Sequence, residues 1–168
     1  GSSDLQDFFK QLLEKIQQII GDHCLMIALH DEKSNVINVP FSYDEGRISS
    51  MDSFPMGEGL TSVVIRTRQP LMIVEDAEKR MADLGVKFSG KPARSWMGAP
   101  MLVQHNSVGA LVMQDAANEY AFDEEDLKFF TTIAGQAAGM IHNIRLLKES
   151  QNRALQLETA AEIARDIS

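Results

Sequence analysis

Apolar positions along this chain change their period several times, and each change marks a structural element. From Asp4 to Ile20, the residues Leu5, Phe8, Phe9, Leu12, Leu13, Ile16 and Ile19 or Ile20 recur at helical spacing. Asp4 and Asp7 are placed to cap the start of that helix, and Gly21 stops it. Cys24 to His30 is short, apolar and bounded by Gly21-Asp22 and Asp31, so it reads as a buried strand. The turn residues Asp31 to Asn35 then lead into Val36 to Tyr43, where Val, Ile and Phe alternate roughly, and the two segments predict an antiparallel hairpin.

The loop Phe54 to Gly59 opens onto a helix whose face carries Leu60, Val63, Val64 and Thr67, and Gln69-Pro70 ends it. Leu71 to Val74 predicts a short strand. Glu75 to Arg94 is polar and reads as a long loop with one or two helical turns around Ala77 to Leu84. Two further strands, Trp96 to Gln104 and Val108 to Gln114, flank a hairpin connection at His105-Asn106-Ser107. From Asp123 a proline-free helix runs nearly to the end, with acids in its first turn where the helix dipole favours them. Leu127, Phe130, Ala134, Ala137, Ile141 and Ile144 alternate spacings of three and four, a coiled-coil-like seam, and Leu157, Ala160, Ala164 and Ile167 repeat it in a shifted frame. The order of elements predicts an α+β fold: a central antiparallel sheet of five or six strands with helices packed on it and a long C-terminal helix.

Composition narrows the function classes. The 168 residues, 44% of them hydrophobic, suffice for one packed core. A net charge of −8 opposes a nucleic-acid or anionic-membrane partner, and no apolar run approaches the length of a bilayer span. A single cysteine, Cys24, has no internal disulfide partner, which fits a reducing cytoplasm. Gly1-Ser2-Ser3 reads as a remnant of an expression tag. No nucleophile elbow, P-loop or HExxH pattern is present, and His23, His30, His105 and His142 lack metal-ligand spacing, so neither a cofactor nor a catalytic site is expected.

Five segments occur in a telling order: Gly57-Glu58-Gly59-Leu60-Thr61, Gln69-Pro70-Leu71, Ser95 to Met101, Val108-Gly109-Ala110-Leu111, and Phe122 to Leu127. In that order and spacing the chain resembles the GAF family, which is related to the PAS fold, over roughly residues 4 to 150. The resemblance implies a sensor domain at 4–150, a signalling-helix or linker extension at 151–168, and the tag remnant at 1–3. Gly57 and Gly59 are expected to take backbone conformations closed to other residues, and Gly98 and Gly109 to admit a neighbouring backbone or helix.

In such domains ligands sit between the sheet and a cap made by the middle helix and the long loop. Carried over by position, the resemblance implies a lining of Met26, Tyr43, Leu60, Thr61, Ser89, Arg94, Trp96 and Val112. Met26, Leu60 and Val112 suit core packing better than ligand contact, and Arg94 suits a surface ion pair better than an anionic ligand. Cyclic-nucleotide-binding relatives carry an Asn-Lys, a Phe and an Asp. Asn118, Phe122 and Asp126 match that pattern, but Glu119 stands in place of the lysine and apolar Met26 and Val112 fall at purine-recognising positions. A covalent bilin needs a cysteine in the lid, and the family's methionine-sulfoxide-reducing branch needs a resolving thiol; this chain offers neither.

The expected role is therefore a non-catalytic cytoplasmic input domain for an unidentified small molecule. It would form a homodimer through its first and last helices and relay its state to a covalently linked output domain. The long helix motivates the relay: at 1.5 Å per residue it spans about 68 Å, more than one domain's width. Gly135 and Gly139, four apart, would admit either a second helix or this domain's own sheet. The alternatives are a ligand-free structural dimerisation module, its interior filled by Met26, Met97, Met101, Met113 and Trp96, and a cyclic-nucleotide-binding domain.

Overall fold

The computed structural model describes residues 2–88 and 90–167. Its elements are α1 (Ser2–Ile19), β1 (Cys24–Asp31), β2 (Val36–Asp44), β3 (Arg47–Pro55), α2 (Leu60–Thr67), β4 (Leu71–Ile73), α3 (Ala77–Asp83), β5 (Ser95–Val103), β6 (Asn106–Asp115) and α4 (Glu124–Ile167). The strands make one antiparallel sheet in the order β3-β2-β1-β6-β5-β4. The expected α+β architecture is thus present, with six strands.

One strand had no apolar signature. β3 is an edge strand whose residues are nearly all exposed, so the serines and charges of its sequence carry no alternation. Its signal lies in the preceding turn. Glu45 and Gly46 both take positive φ, 47° and 83°, which joins Asp44 to Arg47 through a tight two-residue hairpin. The β5–β6 hairpin is also tighter than the sequence predicts: Gln104 and His105 take positive φ, and Val103 pairs with Asn106.

The sheet is buried on both faces. On one, α1 supplies Phe9, Leu12, Leu13 and Ile16, and α4 supplies Phe130, Ile133, Ala134, Ala137, Ala138 and Ile141, against Leu25, Ile27, Met97, Met101, Leu111 and Met113. On the other, α2 and α3 bring Leu60, Val64, Ile65 and Met81 against Ala28, Ile37, Val39, Trp96, Ala110 and Val112. Alternation along each strand therefore separates the methionines: Met97, Met101 and Met113 serve the α1/α4 core, while Met26 faces the other way beside Trp96.

β2 does not alternate throughout. Leu29 lies opposite Asn38 but Ile27 lies opposite Phe41, so one residue of β1, Ala28, is matched by two of β2, Val39 and Pro40. This bulge contains Pro40, which has no N–H to give the ladder. Its consequence is a change of face: Ile37 and Val39 belong to the α2 side, Phe41 and Tyr43 to the α1/α4 side.

The seam of α4 has a different use from the one its spacing suggests. Up to Ile141 its apolar positions are consumed by this domain's own sheet. Gly135 and Gly139 are not on that face; a Cβ at either would meet nothing within 4 Å. Beyond Ile141 the helix continues to Ile167, about 39 Å at 1.5 Å per residue, with Leu146, Leu147, Leu155, Leu157, Ile163 and Ile167 exposed. Its start is fixed by a reciprocal cap. Asp123 Oδ1 accepts the Asp126 N–H at 2.8 Å and Asp126 Oδ2 accepts the Asp123 N–H at 3.0 Å.

Gly109 is where the central strands meet most closely. A Cβ there would overlap the carbonyl oxygen of Ala28 on the neighbouring strand β1. Gly109→Ala is expected to cost more than about 2 kcal/mol, because the clash is with backbone and displaces a central strand pair. Urea denaturation measures this; an unchanged midpoint would show that the strands part easily.

Candidate functional site

Between the sheet and the α2/α3 side lies a cavity of about 440 Å³, within the usual range for small-molecule sites. Two cross-strand rows make its floor. In one, Ser42 of β2 lies opposite Met26 of β1, which lies opposite Val112 of β6. In the other, Cys24 lies opposite Gln114, which lies opposite Trp96 of β5. Gly98, opposite Val112, leaves room for the indole: a Cβ there would overlap the Trp96 ring. Phe54 and Pro55 at the end of β3 form a side wall. The roof is the segment 57–59, the first turn of α2 (Leu60, Thr61, Ser62), Met81 of α3, and the lid residues Val86, Lys87, Phe88 and Lys91 to Ala93.

Short-range bonds hold the roof. The Gly57 N–H donates to Ser62 Oγ at 3.0 Å, and Arg66 donates to the Gly57 carbonyl at 2.8 Å. The lid is tied to the same loop twice, by the Lys87 N–H to the Glu58 carbonyl at 3.2 Å and by Lys87 Nζ to Glu58 Oε2 at 2.9 Å. Gly57 and Gly59 do not take the special conformations expected of them. Neither has positive φ, and Gly59, at φ −79° and ψ 170°, is ordinary extended backbone. As N-cap of α2, Gly59 contributes no side chain, so nothing caps the helix from that position.

Of the residues carried over by position, Met26, Leu60, Thr61, Trp96 and Val112 line this cavity. Tyr43 does not. The β2 bulge turns it to the α1/α4 side, where its hydroxyl donates to Asp22 at 2.6 Å. Arg94 also lies elsewhere: its guanidinium pairs with Glu119 at 3.2 Å on the half-exposed surface. Ser89 lies outside the described residues. Cys24, Ser42, Gln114 and Phe54 are among the lining residues that sequence reasoning missed. The first three were legible once Met26 was assigned inward: Cys24 is its strand neighbour two positions back, Ser42 is its cross-strand partner, and Gln114 is the partner of Cys24.

The motif residues around the β6–α4 connection all have structural tasks. Asn118 donates to the Asp115 carboxylate through its N–H at 2.9 Å, and its carbonyl accepts the Ser95 hydroxyl at 2.7 Å. Phe122 is buried with its ring edge against His23, centroids 4.9 Å apart. Asp126 caps α4. Glu119, besides holding Arg94, accepts the Asp76 N–H at 3.1 Å and so steadies the start of α3.

Two comparisons bear on this arrangement. The model of the family described as GAF domain matches residues 2–142. The chain belongs to the GAF domain family. GAF domains are sensory and regulatory modules of signalling proteins. Similar solved structures include the GAF domain of an Acinetobacter phosphoenolpyruvate-protein phosphotransferase (18% identity, 80% of each chain, TM-score 0.67). The GAF domain of a two-component sensor histidine kinase from Bacillus halodurans is similar over 86% of this chain and 97% of that one (16%, 0.66). A type II free methionine-R-sulfoxide reductase from Thermoplasma acidophilum shares the fold at 12% identity, covering 82% of this chain and 92% of that one, with TM-score 0.66. At these identities the likeness is one of fold. Among the described residues, no helix of this GAF domain is long and apolar enough to cross a membrane.

Cys24 reports on the cavity chemically. Burial, and then the negative charge of Asp44, push its thiol above the ordinary value of 9.0, against a weaker opposing contact from Gln114. A raised thiol pKa adds stability that is complete below the unfolded value near 9 and disappears as pH rises through the higher folded value. Iodoacetamide alkylation of the folded GAF domain should therefore be slower than that of the urea-unfolded chain at pH 8, with its midpoint displaced to higher pH. Equal rates in both states would show an exposed, unperturbed thiol.

Proposed function

We propose that this GAF domain is a non-catalytic input module: its cavity binds a small molecule, and the bound state is relayed through the terminal helices of a homodimer to a linked output domain. The observation that carries the reading is the cavity itself. It is a mainly apolar, partly open chamber of ligand size, beneath a helix and over the sheet. A filled structural module would instead have spent Met26, Trp96 and Phe54 in closing that space.

The relay reading is supported by the two-part use of α4. Its first half is packed on the same sheet whose other face floors the cavity, and its second half presents exposed leucines and isoleucines with no covering element among the described residues. A second copy of the helix would cover them, and the open strip at Gly135 and Gly139 would permit close approach. Set against a cyclic-nucleotide ligand are the apolar floor at Met26 and Val112, and the engagement of Asn118, Phe122, Glu119 and Asp126 in local structure. A cytoplasmic setting, a lone thiol without a resolving partner, and a chain of net charge −8 that disfavours nucleic acid complete the reading.

Native mass spectrometry joined to a thermal-shift screen of metabolites tests the ligand. We expect a retained mass or a ligand-dependent rise in melting temperature, on the order of 2.7 kcal/mol of added stability at one hundred times Kd. A bare chain with no shift across the screen favours the structural-module reading. Sedimentation tests the relay: a dimer is expected at tens of micromolar, lost when residues 151–167 are removed, whereas a strict monomer contradicts it.

A further inference from the structure

The chemistry of the ligand can be narrowed, and this inference rests on the ligand reading above. Among the described residues, five polar side chains are buried: Ser42, Thr61, Ser62, Ser95 and Ser107. Three are satisfied. Ser62 accepts the Gly57 N–H, Ser95 donates to the Asn118 carbonyl, and Ser107 donates to the Gly109 carbonyl. Thr61 and Ser42, 9% and 8% exposed, have no hydrogen-bond partner among the described residues, and both line the cavity. Their oxygens are not sealed off, since among the described residues no buried side-chain nitrogen or oxygen lacks a partner; both hydroxyls are open for an occupant to bond. Two unpaired hydroxyls, Ser42 on the floor and Thr61 in the roof, line the one cavity and point to a polar occupant.

The surroundings decide its charge. Thr61 lies in the first turn of α2, whose first turn-closing bond runs from the Val63 N–H to the Gly59 carbonyl at 3.1 Å. The N–H groups of Leu60, Thr61 and Ser62 therefore have no acceptor within the helix, and no side chain from the N-cap serves them. That turn faces the cavity and carries the positive end of the helix dipole. The charged lining residues are Glu58, Lys87 and Lys91. Glu58 is held by Lys87 at 2.9 Å, and Lys91 has no ion pair among the described residues. In a chain of net charge −8, the charged side chains of this lining are two lysines against one glutamate, and its remaining surface is mainly apolar.

We propose that the cavity takes a small monocarboxylate with an apolar, aromatic or branched body. The carboxylate meets Thr61 and the open N–H groups of α2, Ser42 supplies a second hydroxyl from the floor, and the body lies against Met26, Val112 and Trp96.

Trp96 is the only tryptophan, so its emission reports occupancy directly. The probes are phenylacetate, 4-phenylbutyrate and 4-methylvalerate, each beside its neutral amide, titrated into the whole chain while Trp96 fluorescence and melting temperature are followed. At least one acid is expected to bind about tenfold or more tighter than its amide. Thr61→Val should weaken that acid about fivefold or more and leave the amide within about twofold, while Thr61→Ser recovers the acid. Amides binding as well as acids, or Thr61→Val weakening both alike, would overturn the carboxylate inference and leave the ligand reading standing. Neither acids nor amides moving the emission or the melting temperature would count against both.

Discussion

The pleat of the central strand pair β1–β6 is the constraint on which the other features depend. Both faces of this pair are buried, so each successive side chain is committed either to the α1/α4 core or to the cavity side. Leu25, Ile27, Leu111 and Met113 take the first, and Cys24, Met26, Val112 and Gln114 the second. The two strands approach so closely that Gly109 has no room for a side chain against Ala28. A slip of one residue there would send Leu111 and Met113 into the cavity and Val112 and Gln114 of its floor toward the helices. Register at this pair thus sets the identity of both compartments.

The same logic links the cavity to the terminal helix. α4 is anchored by its Asp123–Asp126 cap and by apolar contacts as far as Ile141, all on the sheet face opposite the cavity. Any shift of β5 or β6 that accommodates an occupant beneath Trp96 and Val112 must also move Met97 and Leu111, which pack beneath the helix. Close-packed layers of this kind transmit displacements because they have little free volume to absorb them. The roof is built differently. It is held by hydrogen bonds and an exposed ion pair between Lys87 and Glu58, the weaker class of tether.

Much of the fold was legible because its signals are periodic. The helical stripe of α1, the short apolar runs of β1, β5 and β6, and the acid-led start of α4 all carry their geometry in their spacing. β3 was invisible to that reasoning because an exposed edge strand has no inward face to mark, and only the Glu45-Gly46 turn betrays it. The site was half legible. Met26, Leu60, Thr61, Trp96 and Val112 follow from position, but Tyr43 was misplaced because alternation cannot foresee a bulge at Pro40 that reverses the faces. Arg94 went to Glu119, a long-range partner that spacing does not reveal. The α4 seam shows a further limit: its three-and-four spacing serves packing on a sheet as well as packing on a second helix.

The central claim is that the space between Trp96 and the first turn of α2 is a ligand site and not slack in the packing. An experimental electron-density map of the protein purified from cells tests it most directly. Density of a bound molecule is expected within the cavity, against Thr61 and Ser42, with the Lys87–Glu58 tether in place. Trp96, Met26 and Phe54 collapsed together with no remaining space, and both hydroxyls bonded to protein, would contradict it.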